Sequence, residues 1–273
     1  MRTLIHLSDL HFGRTDPVIL PKLIDTVHAV KPDLVVVSGD LTQRARSAEF
    51  ISARAFLDAL PSPRLVVPGN HDIPLHNVFQ RFFSPLKKYR QHISNNLAPL
   101  HIDSEIAVAG INTARSLTIK NGRVNTEQIE ALRSAWQTVD ASVIKIVVTH
   151  HPFDVPDANE DQALVGRAEP VMSALAELHV DMLMAGHHHL GSAENSATSY
   201  PYLNHASIVV QAGTATSTRQ RGQTNSFNLI RIEAARIAVE RFDWMSAKQQ
   251  FLPATRSEFV RGEQGWVSTT DPR

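Results

Sequence analysis

The chain has 273 residues, 42% of them hydrophobic and 20% charged, a balance that supports a sizeable core and excludes disorder. Lysine and arginine total 27, as do aspartate and glutamate, so no global field draws the protein to nucleic acid or an anionic surface, although a local patch is compatible with that sum. Cysteine is absent, which removes disulfides, zinc-thiolate sites and thiol nucleophiles and leaves any metal to nitrogen and oxygen ligands.

In chain order, five short apolar runs each end in a polar cluster. "TLIHL" leads to Ser8-Asp9-Leu10-His11, and "LVVV" to Ser38-Gly39-Asp40. "RLVV" leads to Pro68-Gly69-Asn70-His71-Asp72, "VIKIVV" to Thr149-His150-His151, and "DMLMA" to Gly186-His187-His188-His189. Runs this short, rich in Val, Ile and Leu and without alternation, predict strands covered on both faces. "LPKLIDTVHAV", "SAEFISARAFLDAL", "NTEQIEALRSAW" and "EPVMSALAEL" predict helices, the third opened by an Asn125–Gln128 capping pair. Strand, helix, strand in this recurrence implies βαβ units and a mostly parallel inner sheet. "EIAVAGINTA", "ASIVVQAG", "SFNLIRIE" and "RIAVERFDW" predict further strands in an added or mixed second sheet.

The segment from His76 to about Pro99 is expected to be helical and to lie over the site, and residues 253–273 are expected to form a loose polar tail. Nowhere do roughly 18 apolar residues run together, and Asp9 interrupts the N-terminal apolar run. No transmembrane segment or signal peptide is therefore expected, and a cytoplasmic location is.

In parallel sheets, residues that end neighbouring strands converge, so Asp9, His11, Asp40, Asn70, His150, His187 and His189 should meet at one edge. Two aspartates, four histidines and an asparagine gathered there are costly to desolvate unless a cation joins them. Seven donors exceed what one ion needs, so two ions fit better, bridged by a shared carboxylate; Asp40, central in chain order, is the expected bridge. If "HHH" is extended, His187 and His189 point one way and His188 the other. At "THHP" adjacent residues face apart, and either His150 or His151 could reach a metal.

The ordered set "SDLHFG", "SGDLTQ", "PGNHD", "THHP" and "AGHHH" resembles the calcineurin-like metallophosphoesterase family over residues 1 to about 190, closest in pattern to bacterial class III cyclic nucleotide phosphodiesterases. The resemblance implies an α/β fold, a four-layer α/β/β/α sandwich of two mixed sheets, with a dinuclear metal site at the strand C-terminal ends. The domain would span residues 1–252. Asp9, His11, Asp40 and His189 would hold one metal, and Asp40, Asn70, His150 and His187 the other; the family pattern selects His150 over His151. The cofactors implied are two divalent ions, with Mn2+, Fe2+ or Fe3+, Zn2+ and Co2+ all suited to such ligands.

The activity implied is hydrolysis of a small phosphodiester, a cyclic nucleotide such as 3',5'-cAMP, by a metal-bridging hydroxide. His71 would be catalytic, assisting the leaving oxygen, and Asn70 and His71 would bind substrate. Asp72 is expected either to orient His71 or to accept hydrogen bonds in its turn. Glycerophosphodiesters, lipid-linked pyrophosphates and nucleic acids are alternative substrates, the last disfavoured by the neutral charge sum, and a non-catalytic binding scaffold is the rival from another class. Family habit also implies a homodimer. Among the remaining groups, His6 is expected to be a bonded core histidine, His205 to lie before a strand with a chance of reaching substrate, and Arg44, Arg46, Arg115 and Arg219 to border the cleft or sit in solvated loops.

Overall fold

The computed structural model describes residues 1–117, 121–154, 165–166, 168–219 and 222–269. The first half of the chain runs β1 (Arg2–Leu7), α1 (Ile19–Val30), β2 (Leu34–Ser38), α2 (Ser47–Ala59) and β3 (Arg64–Val67). Two short helices follow, α3 (Val78–Phe83) and α4 (Lys87–His92), where one helical stretch was expected. Next come β4 (Leu100–Ile102), β5 (Ile106–Gly110), α5 (Thr126–Ala135), β6 (Ile144–Val148), α6 (Ala168–Glu177) and β7 (Met182–His189). The remainder is almost all strand: β8 (Ser192–Asn195), β9 (Ile208–Gly213), β10 (Ser226–Glu233), β11 (Arg236–Met245), β12 (Gln250–Gly262) and β13 (Gly265–Ser268).

Both faces of the central strands are apolar, and this dictates the layering. In β1 and β2, Leu4, Leu34 and Val36 face the opposite sheet, while Ile5, Leu7, Val35 and Val37 pack with Leu23 and Val27 of α1 and Phe50 and Phe56 of α2. On the far side, Ala107, Val147, Leu183 and Val209 pack with Leu132 of α5 and Leu175 of α6. The result is four layers, α/β/β/α, around an apolar seam between two mixed sheets. The Asn125–Gln128 capping box opens α5 as the sequence implies.

One expectation needs correction. The five motif-bearing strands do not share one parallel sheet. The first sheet runs β13-β12-β11-β10-β1-β2-β3 and the second β4-β5-β6-β7-β9-β8, so β1, β2 and β3 lie in one and β6 and β7 in the other. Their carboxyl ends still meet, because the two sheets stack with those ends at the same edge. The stretch after Pro253 is not loose either: Pro253 lies within β12, which pairs antiparallel with β11 and with β13, while residues 270–273 lie outside the described residues. Among the described residues, no helix is long and apolar enough to cross a membrane.

Candidate metal centre

At three of the five motif strands, β1, β2 and β7, the site residues have an unusual backbone. Asp9, His11, Asp40, His187 and His189 all adopt positive φ, between 50° and 75°, the left-handed region that non-glycine residues seldom enter. They are five of the nine such residues in the described chain, and strain of this kind concentrates at functional sites. At Gly39 (φ +92°) a Cβ would stand 2.6 Å from His150 Nδ1, so a glycine lets the loop carrying Asp40 pass against that ring. His187 and His189 do reach the site and His188 lies beside it, but not through period-two alternation: the β7–β9 register shifts between Ala185 and His189.

All seven expected side chains come together, in two linked clusters. In the first, Asp9 Oδ1 lies 3.1 Å from His189 Nε2 and 3.5 Å from His11 Nε2, and the two imidazole nitrogens are 3.2 Å apart. In the second, His150 Nε2 lies 3.0 Å from Asn70 Oδ1 and 3.4 Å from Asp40 Oδ2. The His187 ring stands 5.1 Å from that of His150 and 4.7 Å from that of His151. Asp40 Oδ2 is also 3.8 Å from His11 Nε2, so one carboxylate faces both clusters. His151 remains close enough to share a metal-sized cluster with His150 and His187, while its Nδ1 pairs with Thr113 Oγ1 at 2.7 Å.

The donor set fits cations. His189 Nδ1 donates to the Arg219 carbonyl at 3.0 Å and His150 Nδ1 to the Ser38 carbonyl at 2.8 Å. A carbonyl only accepts, so those nitrogens carry the hydrogens and each Nε2 directs its lone pair inward when the ring is neutral. Carboxylate, amide oxygen and imidazole lone pairs then face one another, which is repulsive unless positive charge lies between them. Asp9 Oδ1 is buried with no well-aligned hydrogen bond, as an oxygen reserved for an ion would be.

The electrostatics agree. Burial alone would raise the carboxyls of Asp9 and Asp40, yet the first is held well below its usual range by the charge of His189 with His11, and the second is lowered by His150 and His71. Burial likewise opposes charge on His150, but Asp40, Asp9 and the Ser38 carbonyl outweigh it and lift the ring to about 9. His187 goes the other way, down to about 3, through burial and then repulsion from His150. The site therefore holds ionised carboxylates that attract a cation, and a proton on His150 supplies some of that charge.

His71 stands at the edge of the clusters. Its amide donates to Asp40 Oδ1 at 2.8 Å and its Nδ1 to the Gln43 carbonyl at 2.9 Å, leaving Nε2 3.4 Å from Arg219 Nη1, and a nitrogen of this ring also lies in metal-sized reach of His11 and Asp40. Asp72 does not orient this ring. It is buried and accepts from the amides of Leu41, Thr42 and Gly69 and from Thr42 Oγ1, and burial followed by the Asp40 charge pushes it up to about 6. It ties two strand-end loops together. His205 donates to the Val180 carbonyl before β7, at the other end of that strand, and His6 bonds Ser38 Oγ in the core as expected.

The sequence reading left Arg219 between the cleft border and a solvated loop and missed the rest of what the loop after β9 contributes. Thr214 Oγ1 donates to the Asp9 carbonyl and Thr216 Oγ1 to that of Leu10, and Arg219 supplies both the carbonyl behind His189 and a guanidinium beside His71. The signal was present as a sixth apolar run ending in Gly213 and followed by alternating hydroxyls in "TATST".

Residues 2–191 match the calcineurin-like phosphoesterase family. The chain belongs to that family. Among curated relatives, this calcineurin-like phosphoesterase is 38% identical over 80 residues to the glycerophosphodiester phosphodiesterase GpdQ of Enterobacter lignolyticus, covering 25% of the chain and 29% of that enzyme. It is 26% identical over 172 residues to the 3',5'-cyclic adenosine monophosphate phosphodiesterase CpdA of Escherichia coli, covering 60% of the chain and 58% of the relative. Less than two thirds of either relative is thus spanned. The fold is also that of a dimetal phosphatase from Danio rerio, with a TM-score of 0.65 at 14% identity over 93% of this chain and 98% of that one.

Proposed function

We propose that the protein is a metal-dependent phosphodiesterase for a small phosphodiester, with a cyclic nucleotide such as 3',5'-cAMP as the leading substrate. The carrying observation is the inward convergence of metal-ligating oxygen and nitrogen atoms in both clusters, with Asp40 Oδ2 facing each. Asp9, His11, Asp40 and His189 would hold one cation, and Asp40, Asn70, His150 and His187 the other. When bound, the pair supplies an activated water and neutralises phosphate oxygens, with manganese, iron, zinc or cobalt all compatible with these ligands.

The chain's own residues do the rest. The Gln43 carbonyl holds the His71 Nδ1 proton, so a protonated His71 presents Nε2–H to the departing oxygen. Asn70 directs its amide oxygen into the second cluster and leaves its NH2 for a phosphate oxygen. Arg219, beside His71, suits a second non-bridging oxygen. The relatives' names support diester over monoester substrates, and glycerophosphodiesters are the second reading because of the GpdQ likeness.

The test compares bis(p-nitrophenyl) phosphate with the monoester, then a panel of cyclic nucleotides and glycerophosphodiesters, on protein loaded with manganese. Asp40→Ala should lose metal and turnover together, whereas His71→Ala should keep two metal equivalents and slow roughly 10²-fold. Full turnover in Asp40→Ala, or no metal retained by the parent after loading, rejects the reading in favour of a scaffold.

A further inference from the structure

Helix α3 is built inside out. Four of its six residues, Val78, Phe79, Phe82 and Phe83, are exposed, Phe79 and Phe83 each by 74%, and Leu75 and Leu117 are exposed as well. Its buried member is Arg81, which donates Nε to the Ser116 carbonyl at 2.9 Å and Nη1 to that of Pro74. That anchor ties α3 to the Ser116 backbone and leaves the phenyl rings outward. Single exposed apolar residues are ordinary, but a contiguous set held in place by a buried charge is not.

The segment's own charge is one-sided. From Ile73 to Ile102 there is no acidic residue, while Arg81, Lys87, Lys88 and Arg90 all fall there. Phe83 borders two open cavities of about 370 and 520 Å3, the first walled also by Lys87 and Lys88 and the second by Arg90 and Arg115.

We propose that this face docks on an anionic membrane surface, with the α3 side chains entering the boundary between headgroups and acyl chains and Lys87, Lys88 and Arg90 meeting lipid phosphates. A second copy of the chain fits poorly, because a two-fold contact would set like charges against each other. Single-stranded nucleic acid fits poorly too: the Phe79 and Phe83 rings lie 4.6 Å apart against one another, which occupies faces that bases would stack on, and Val78 and Leu75 offer none. A lipid interface takes mixed aliphatic and aromatic groups without shape matching. Arg44 to His76 and Lys88 to the Ala45 carbonyl join this module to the loop after Asp40, so docking holds the metal centre near lipid.

The test is flotation of the full chain with phosphatidylcholine vesicles, with and without phosphatidylglycerol, and it needs no turnover to read. The chain should float with the anionic vesicles and detach as salt rises. Phe79→Ser/Phe83→Ser should weaken partitioning about 10-fold or more while the thermal midpoint and hydrolysis of a soluble diester stay unchanged. Lys87→Glu/Lys88→Glu should weaken it as well. Absence of binding to anionic vesicles at low salt overturns the proposal, as does undiminished binding by the phenylalanine variant. Oligonucleotide binding, or self-association seen by light scattering, that the phenylalanine variant alone loses would assign the face to another occupant and overturn it equally.

Discussion

At His150, Nδ1 is committed to the Ser38 carbonyl while Nε2 faces Asp40 and Asn70. Without metal these partners hold the ring protonated up to about pH 9, and a metal needs the neutral ring. Uptake must therefore expel that proton. From pH 7 to 9 the metal-free ring is charged, so affinity should climb roughly tenfold per pH unit and level off above about 9. Calorimetry in buffers of different ionisation enthalpy should register about one proton released per chain, and a pH-independent affinity in that window would contradict the assignment. The seven converging side chains were legible in the sequence because each stands at a fixed offset from an apolar run. Gln43 was not, since it acts through a backbone carbonyl that leaves no mark on residue type. Arg219 was legible only as a choice between the cleft border and a solvated loop, because its place beside His71 depends on how the loop after β9 is brought in.

At the scale of elements, the tightest join is where β7 meets the turn after β1. A Cβ on Gly186 would stand 1.8 Å from Ser8 Oγ and 2.6 Å from Asp9 Oδ2. Gly186→Ala should cost about 1–3 kcal/mol in denaturant unfolding through overpacking and weaken metal retention by displacing Asp9. Adding Ser8→Gly should restore part of the stability, and strict additivity of the two losses would show that this contact is not the cause. Element types were readable from periodicity, as the α5 capping box and the five apolar strands show. Their sorting into two sheets was not, because Val36 and Val148 are equally apolar and only packing decides which strand each neighbours. Strand β12 was missed because its middle, from Pro253 to Arg256, is polar and exposed and is held by pairing with β11.

Taken as a molecule, each proposed ion draws ligands from both sheets: His189 joins Asp9, His11 and Asp40, and His150 and His187 join Asp40 and Asn70. The apolar seam between the sheets is continuous without them, so chelation should leave far-ultraviolet circular dichroism intact while lowering the melting temperature. Scanning calorimetry should show that temperature rising with the logarithm of free metal, since an ion at 100 times its dissociation constant adds about 2.7 kcal/mol. A melting temperature indifferent to metal would mean that the clusters bind nothing across the seam. The pairing of β1 carries a further consequence, for how the protein is made. Leu4 stands opposite Ile230 in the antiparallel β1–β10 register, so during synthesis β1 waits for β10 before that edge is covered. Nascent chains that end before β10 offer Asp9 and His11 without a settled frame, so metal uptake by the proposed centre should follow the pairing of β1 with β10.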